Sequence, residues 1–231
     1  MTLVLLPGMD GTGAMFGPFV ARIDPRFLVK VVRYPPTAPL GYPELEAVAR
    51  AELPPDGPFV ILAESFSGPI AVSLAASCSA RLKGLILCAS FVRSPWPFLS
   101  KFRCLARMLP AGIAPMPVLS YFLLGAHAPG HLRAALAQAA APVSPAAWRA
   151  RLQAVLAADV SEQVYGLTVP VLYLRASHDR VVPRSASGLV TQLHPATRVA
   201  QIEAPHLLLQ SAPAEAARVV DAFVADVENA V

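Results

Sequence analysis

Charge is scarce in this chain: Asp, Glu, Lys and Arg make up 15% of 231 residues, where globular chains usually carry about a quarter. Acidic residues are missing altogether from Arg93 to Ala158, a stretch that holds Arg93, Lys101, Arg103, Arg107, Arg133, Arg149 and Arg151. Cysteine is rarer still. Cys78, Cys88 and Cys104 form no even set and no close-spaced pair, which excludes a disulfide framework and a cysteine-based metal site and leaves three buried thiols as the expectation. A basic leader is also lacking: the apolar run of "MTLVLLPGMDG" stops at Pro7, so no secretory signal is expected and the cytoplasm is the expected location. No fixed-period repeat is present, which excludes a solenoid.

What the chain has in excess is apolar surface to bury. A hydrophobic content of 55%, largely Ala, Leu and Val, excludes a disordered chain and suits a single domain over residues 1–231. The uncharged run Met108–Leu132 has the length of a membrane span, but Pro110, Pro115, Pro117 and Pro129 interrupt it and His127 and His131 lie inside it. An apolar cover over a pocket is the expectation there, not a transmembrane segment.

Short, nearly continuous apolar runs at Leu3–Leu6, Leu28–Arg33, Phe59–Ala63, Leu85–Ala89, Val171–Arg175 and Arg198–Ile202 read as strands, and runs like "VILA", "LILC" and "VLYL" as strands covered on both faces. Helical patterns fall between them at about Met15–Ile23, Tyr42–Leu53, Pro69–Ser79, Arg184–Leu193 and Ala214–Val227. Strand and helix in alternation predict a three-layer α/β fold with a mostly parallel sheet of about six strands, whose site lies beyond the carboxyl ends of the strands. The alternation breaks at about 91–167, where prolines and an alanine-rich stretch predict short helices: a helical cap inserted over the strand ends. Its one-sign charge suits an anionic partner as well as it suits a solubilising rim.

Chemistry-bearing residues cluster at three strand ends. After Phe59–Ala63 the chain runs Glu64-Ser65-Phe66-Ser67-Gly68, so Ser65 stands on a sharp strand-to-helix turn that projects its hydroxyl above the sheet, with a helix amino terminus behind it. Small residues are needed on either side so that strand and helix can approach; Ala63 and Ser67 supply them where glycines are usual. Asp179 follows the fifth strand and His206 the sixth, giving a nucleophile, an orienting acid and a base in the order Ser65, Asp179, His206. Glu64 reads as a turn carboxylate near a helix amino terminus and receives no catalytic role.

On these motifs the chain resembles the α/β-hydrolase superfamily, and the cap together with "LTVPVLYLRASHDRVVP" resembles small capped carboxylesterases of the pimeloyl-carrier-protein methyl esterase type. The resemblance implies a Ser-His-Asp acyl-enzyme mechanism without cofactor or metal, and an oxyanion hole from the backbone N–H groups of Met9, in the turn "LLPGMDGTG", and Phe66. It also implies that the superfamily's two leading strands are missing here. The implied substrate is a small-molecule or carrier-linked acyl ester, the latter with an acidic carrier protein at the basic cap. "LPGMDGTG" is similar, too, to a motif of plastid acyltransferases that act on lipid alcohols, so water and an alcohol both stand as acceptors. A non-catalytic ligand-binding protein on the same fold is a third reading. A dinucleotide site is disfavoured because neither glycine register fits: Phe16 and Asp10 stand where glycine is required. The five histidines show no metal-ligand spacing, and no nucleic acid partner is expected.

Overall fold

The computed structural model describes residues 1–77, 80–100 and 115–229. Six strands, β1 (Thr2–Leu6), β2 (Leu28–Val31), β3 (Phe59–Glu64), β4 (Leu82–Cys88), β5 (Val171–Ala176) and β6 (Arg198–Ile202), form one sheet in the order β2-β1-β3-β4-β5-β6. Every pairing within it is parallel. The six apolar runs of the sequence are these six strands. The four inner strands are buried on both faces, while edge strands β2 and β6 are partly exposed, because an edge strand has a neighbour on one side only.

Helices α1 (Gly17–Val20), α2 (Tyr42–Ala51), α3 (Gly68–Ser77), α4 (Pro97–Ser100), α5 (Met116–Leu124), α6 (Gly130–Ala140), α7 (Pro145–Ala157), α8 (Ser161–Tyr165) and α9 (Arg184–Leu193) lie between the strands, and α10 (Leu208–Ser211) and α11 (Pro213–Asn229) follow β6. Alternate strand residues serve two cores, as the two-residue period requires. Val4, Ile61, Leu85 and Tyr173 pack with Leu45 of α2, Ile70 and Leu74 of α3, Val164 of α8 and Val190 of α9. Leu3, Leu62, Ile86 and Leu174 pack with Phe19 of α1, Leu209 of α10 and Val220, Phe223 and Val224 of α11. The result is the expected three layers.

The chain leaves the sheet ahead of α4 and rejoins it after α7 at a shared neck. There Ser94 N–H donates to the Ala158 carbonyl (2.8 Å), Val160 N–H donates to the Val92 carbonyl (2.8 Å), and Arg93 bonds Asp159 across the bridge. α8, inside the interval expected to form the cap, packs instead in the main core through Val164. The described part of the cover has a small core of its own, with Leu124, Leu132, Leu136 and Ala139 packed on Met15 and Leu207. α5 is only nine residues long, starting behind Pro115 and ending at Gly125, and no helix of the described residues is long and apolar enough to cross a membrane. Cys88 is a buried free thiol; Cys78, Cys104, Lys101, Arg103 and Arg107 lie outside the described residues.

The connection after β1 leads outward to β2 on one side and the connection after β3 leads outward to β4 on the other, so the strand order reverses where β1 meets β3. Leu6 pairs with Ala63 at the carboxyl ends of these two strands, which sets the turns that follow them at the same level. A crevice at such a reversal is the usual ligand site of an open α/β sheet.

Candidate active site

Ser65 is the first residue after β3, and its φ of 48° is in the left-handed region that a serine rarely adopts. Three contacts fix this turn. Ser90 Oγ donates to the Ser65 carbonyl (2.5 Å), and the Ser90 carbonyl in turn accepts from the Tyr173 hydroxyl. Tyr42 donates its hydroxyl to the Phe66 carbonyl (3.0 Å), while its ring lies 4.9 Å from the Phe66 ring. Ser67 is more than a small spacer: fully buried, it donates to the Pro7 carbonyl and meets the Tyr34 hydroxyl at 2.9 Å, tying the turn after β3 to the turn after β1. Gly68 completes the close approach, since a Cβ there would stand 2.0 Å from Ser90 Oγ.

The structure brings the three widely spaced candidates together. Ser65 Oγ lies 2.8 Å from His206 Nε2, and His206 Nδ1 lies 2.9 Å and 2.8 Å from the two carboxylate oxygens of Asp179. Asp179 Oδ1 also accepts from Val181 N–H and Val182 N–H, both at 2.8 Å, which holds the carboxylate in the tight turn after β5. The His206 and Asp179 side chains are 2% and 8% exposed, so water competes little for these bonds. Phe66 is buried in the first turn of the helical stretch behind Ser65, where backbone N–H groups have no partner within the helix. Met9 lies in the turn after β1, which closes on a bond from Gly11 N–H to the Gly8 carbonyl (3.0 Å).

Above this arrangement is a cavity of about 470 Å³. Ser65, His206, Glu64, Met9 and Asp10 form its floor, and its walls are mainly apolar, with Trp96, Leu119, Phe122, Leu136 and Trp148 contributed by the covering segment. Arg180 also lines it and lies over the Tyr121 ring, 4.8 Å from the centroid.

Two side chains of the site escape sequence reasoning. Glu64 is not a solvated turn residue. It ends β3 at 3% exposure and accepts from Gln210 Nε2 of α10 at 2.9 Å. Burial pushes its carboxyl up to about 7, reinforced by the charge of Asp10 and opposed by the bonds from Gln210 and the Gly8 N–H and by the imidazole of His206. The signal was present in the sequence as a lone carboxylate on an unbroken apolar strand, but its partner, Gln210, is 146 positions away. The second is Arg151, one of the positive residues that the sequence places in the cap. It is fully buried and bonded to backbone carbonyls, while Arg93 is paired with Asp159; of the described cap arginines, Arg133 is exposed and Arg149 half-buried. Among the described residues no group of three or more His, Cys, Asp or Glu side chains is placed to hold a metal ion.

Comparison with known proteins agrees with this architecture. The carboxylesterase structure from Nitrososphaera gargenis superposes with a TM-score of 0.83 at 14% identity, covering 100% of this chain and 92% of that one. A thermophilic esterase from Thermogutta terrifontis gives 0.78 at 20% identity, covering 98% and 90%. The enol-lactonase from Burkholderia xenovorans LB400 gives 0.75 at 20% identity, covering 99% and 91%. At such identities the likeness is one of fold. No curated protein matches the sequence. The family model described as "Serine aminopeptidase, S33" (Hydrolase_4) matches residues 45–208, more than half of the chain and a span that includes Ser65, Asp179 and His206. The chain therefore belongs to the Hydrolase_4 family and is an α/β-hydrolase.

Proposed function

We propose that the protein is a serine hydrolase that cleaves carboxylic esters through an acyl-enzyme intermediate. The observation that carries the reading is the continuous hydrogen-bonded line from Ser65 Oγ through His206 to Asp179 at the floor of a mainly apolar cavity. His206 Nε2 accepts the Ser65 proton as Oγ attacks the ester carbonyl, and Asp179 orients the imidazole and stabilises its charged form. The carbonyl oxygen takes the negative charge of the tetrahedral intermediate and is held by the N–H groups of Met9 and Phe66. Collapse of the intermediate breaks the bond to the alcohol, which leaves with the proton from His206. Water, deprotonated by His206, then releases the acid and restores Ser65.

The apolar walls favour an ester with an uncharged hydrocarbon acyl group. A finer reading, in which that acyl group arrives on an acidic carrier protein, depends on outward-facing positive charge such as that of Arg133. Turnover of p-nitrophenyl butyrate by Ser65→Ala tests the proposal: the variant should keep its fold and lose activity by a factor on the order of 10⁴ or more, whereas undiminished turnover overturns the assignment. Leucine p-nitroanilide in parallel separates ester from aminopeptide cleavage, and the reading expects no turnover of it.

A further inference from the structure

Among the described residues the largest fully buried side chain is a charged one, Arg151, at 0% exposure. It projects from α7 onto the backbone of two loops. Nη1 donates to the carbonyls of Met9 (2.9 Å) and Asp10 (2.7 Å), and Nη2 donates to the carbonyl of Pro35 (2.9 Å). The start of α7 is bonded to the second of these loops as well: Ser144 N–H donates to the Pro36 carbonyl (2.9 Å) and Ser144 Oγ to the Thr37 carbonyl (3.0 Å). Tyr34 N–H closes the circuit by donating to the Gly11 carbonyl (2.8 Å). The covering helix, the loop after β2 and the turn after β1 are thus one hydrogen-bonded unit with the guanidinium at its centre.

Gly11 is fitted to that guanidinium. Its φ is 72°, and a Cβ added to it would lie 2.8 Å from Nη1 and 3.0 Å from Nη2 of Arg151. Burying a guanidinium forfeits hydration that its bonds to three carbonyls must first offset, so it is a poor source of net stability. What the arginine supplies instead is direction, because its donors sit in a rigid plane and fix the carbonyls they meet. The Met9 N–H shares a rigid peptide plane with the Gly8 carbonyl, which accepts from Gly11 N–H (3.0 Å), and Arg151 holds the Met9 carbonyl in the next plane, so both peptide planes that meet at the Met9 Cα are fixed.

We propose that Arg151 is a positioning residue for ester hydrolysis: from the covering helix it holds the Met9–Asp10 backbone so that the Met9 N–H meets the developing oxyanion, and turnover therefore depends on how α7 is seated. The proposal rests on the serine-hydrolase reading above. It assigns a catalytic consequence to a contact between cover and turn that never touches the substrate.

The test compares wild type, Arg151→Lys, Gly11→Ala, the double variant and Ser65→Ala on p-nitrophenyl butyrate, with binding of a trifluoromethyl ketone as a mimic of the tetrahedral intermediate. Lysine keeps the charge and loses the fork; alanine at position 11 keeps the fork and displaces it. Each single variant should lower kcat by about tenfold or more while KM stays within about threefold, and should weaken the ketone by a matching factor, since one oxyanion donor is worth 10²- to 10³-fold in kcat. Alanine at position 11 also meets Tyr34 Cβ at 3.0 Å and strains a φ of 72°, but the two changes share the guanidinium contact, so the double variant should lose clearly less than the product of the single losses. Wild-type kcat in both single variants, a loss confined to KM, or losses that multiply in the double variant would overturn the proposal. If Arg151→Lys does not fold, Arg151→Gln, which keeps a donor but not the fork, decides by the same kcat and ketone criteria. Full turnover by Ser65→Ala would sink the hydrolase reading and this proposal with it, whereas inactive Ser65→Ala beside fully active Arg151→Lys and Gly11→Ala would sink only the positioning role.

Discussion

A serine with φ of 48° is held in place by its neighbours, and at the Ser65 turn each neighbour is a specific contact: Ser90 on its carbonyl, Tyr42 on the next carbonyl, and Gly68 where no Cβ fits. Glu64, one residue earlier, carries the most testable property at this scale. Burial holds its carboxyl up to about 7 against an ordinary value of 4.5, so between those values the folded chain keeps a proton that the unfolded chain releases. Stability is therefore unpenalised below about 4.5, declines as pH rises through the interval, and carries a full cost of roughly 3 kcal/mol above about 7. Glu64→Gln removes this slope while keeping an acceptor for Gln210. Urea midpoints of variant and wild type should converge at low pH and separate in favour of the variant above pH 7; parallel curves at every pH would show that Glu64 does not titrate in this way. Ser65 and Glu64 were both visible in the sequence as polar groups on an apolar strand. Only Ser65 had partners placed by a known order of motifs, whereas what surrounds Glu64 depends on how α10 folds back over the strand end.

At the scale of elements, strands and helices followed closely from periodicity because the inner strand runs are nearly continuous in apolar residues and are closed by glycine, proline or a polar turn. α9 falls on the expected residues, and α11 is longer than expected by one residue at its start and two at its end. The cover was less legible. Its alanine-rich helices carry little amphipathic pattern, so nothing in the local sequence separates Arg149, half-buried, from Arg151, fully buried two positions on. The side that faces the body is set by the neck at Arg93 and Asp159 and by Ser144 on the loop after β2, both long-range contacts. α6 gives the element-scale prediction. Ala140 lines the cavity at 3% exposure, so Ala140→Phe should fill part of it. The ratio of kcat/KM for p-nitrophenyl octanoate to that for the acetate should fall by about tenfold, a difference on the scale of one to three kcal/mol for pocket shape. An unchanged ratio would mean that the acyl chain does not lie under α6.

For the whole molecule, the reversal of strand order between β1 and β3 explains why residues from four separate regions meet. Met9 follows β1, Ser65 follows β3, Asp179 follows β5 and His206 follows β6, all at the same end of one parallel sheet. That convergence was readable in advance because a parallel sheet sends every strand's carboxyl end to one side. Charge distribution is the other property of this scale. The formal net charge is +4, and the run of residues without a carboxylate lies in the segment that includes the cover. If an acidic carrier delivers the acyl group, Arg133→Glu combined with Arg149→Glu should reduce kcat/KM for a carrier-linked ester by at least about tenfold at low salt and leave p-nitrophenyl butyrate within about twofold. Equal effects on both substrates would count against a carrier.

The central claim, that Ser65 is a nucleophile activated by His206, is tested most directly by reaction with a fluorophosphonate followed by peptide mass spectrometry. The arrangement described predicts one adduct per chain, on the peptide containing Ser65, and its loss in His206→Ala. An adduct on another residue, or ester turnover that persists with Ser65 unmodified, would contradict it.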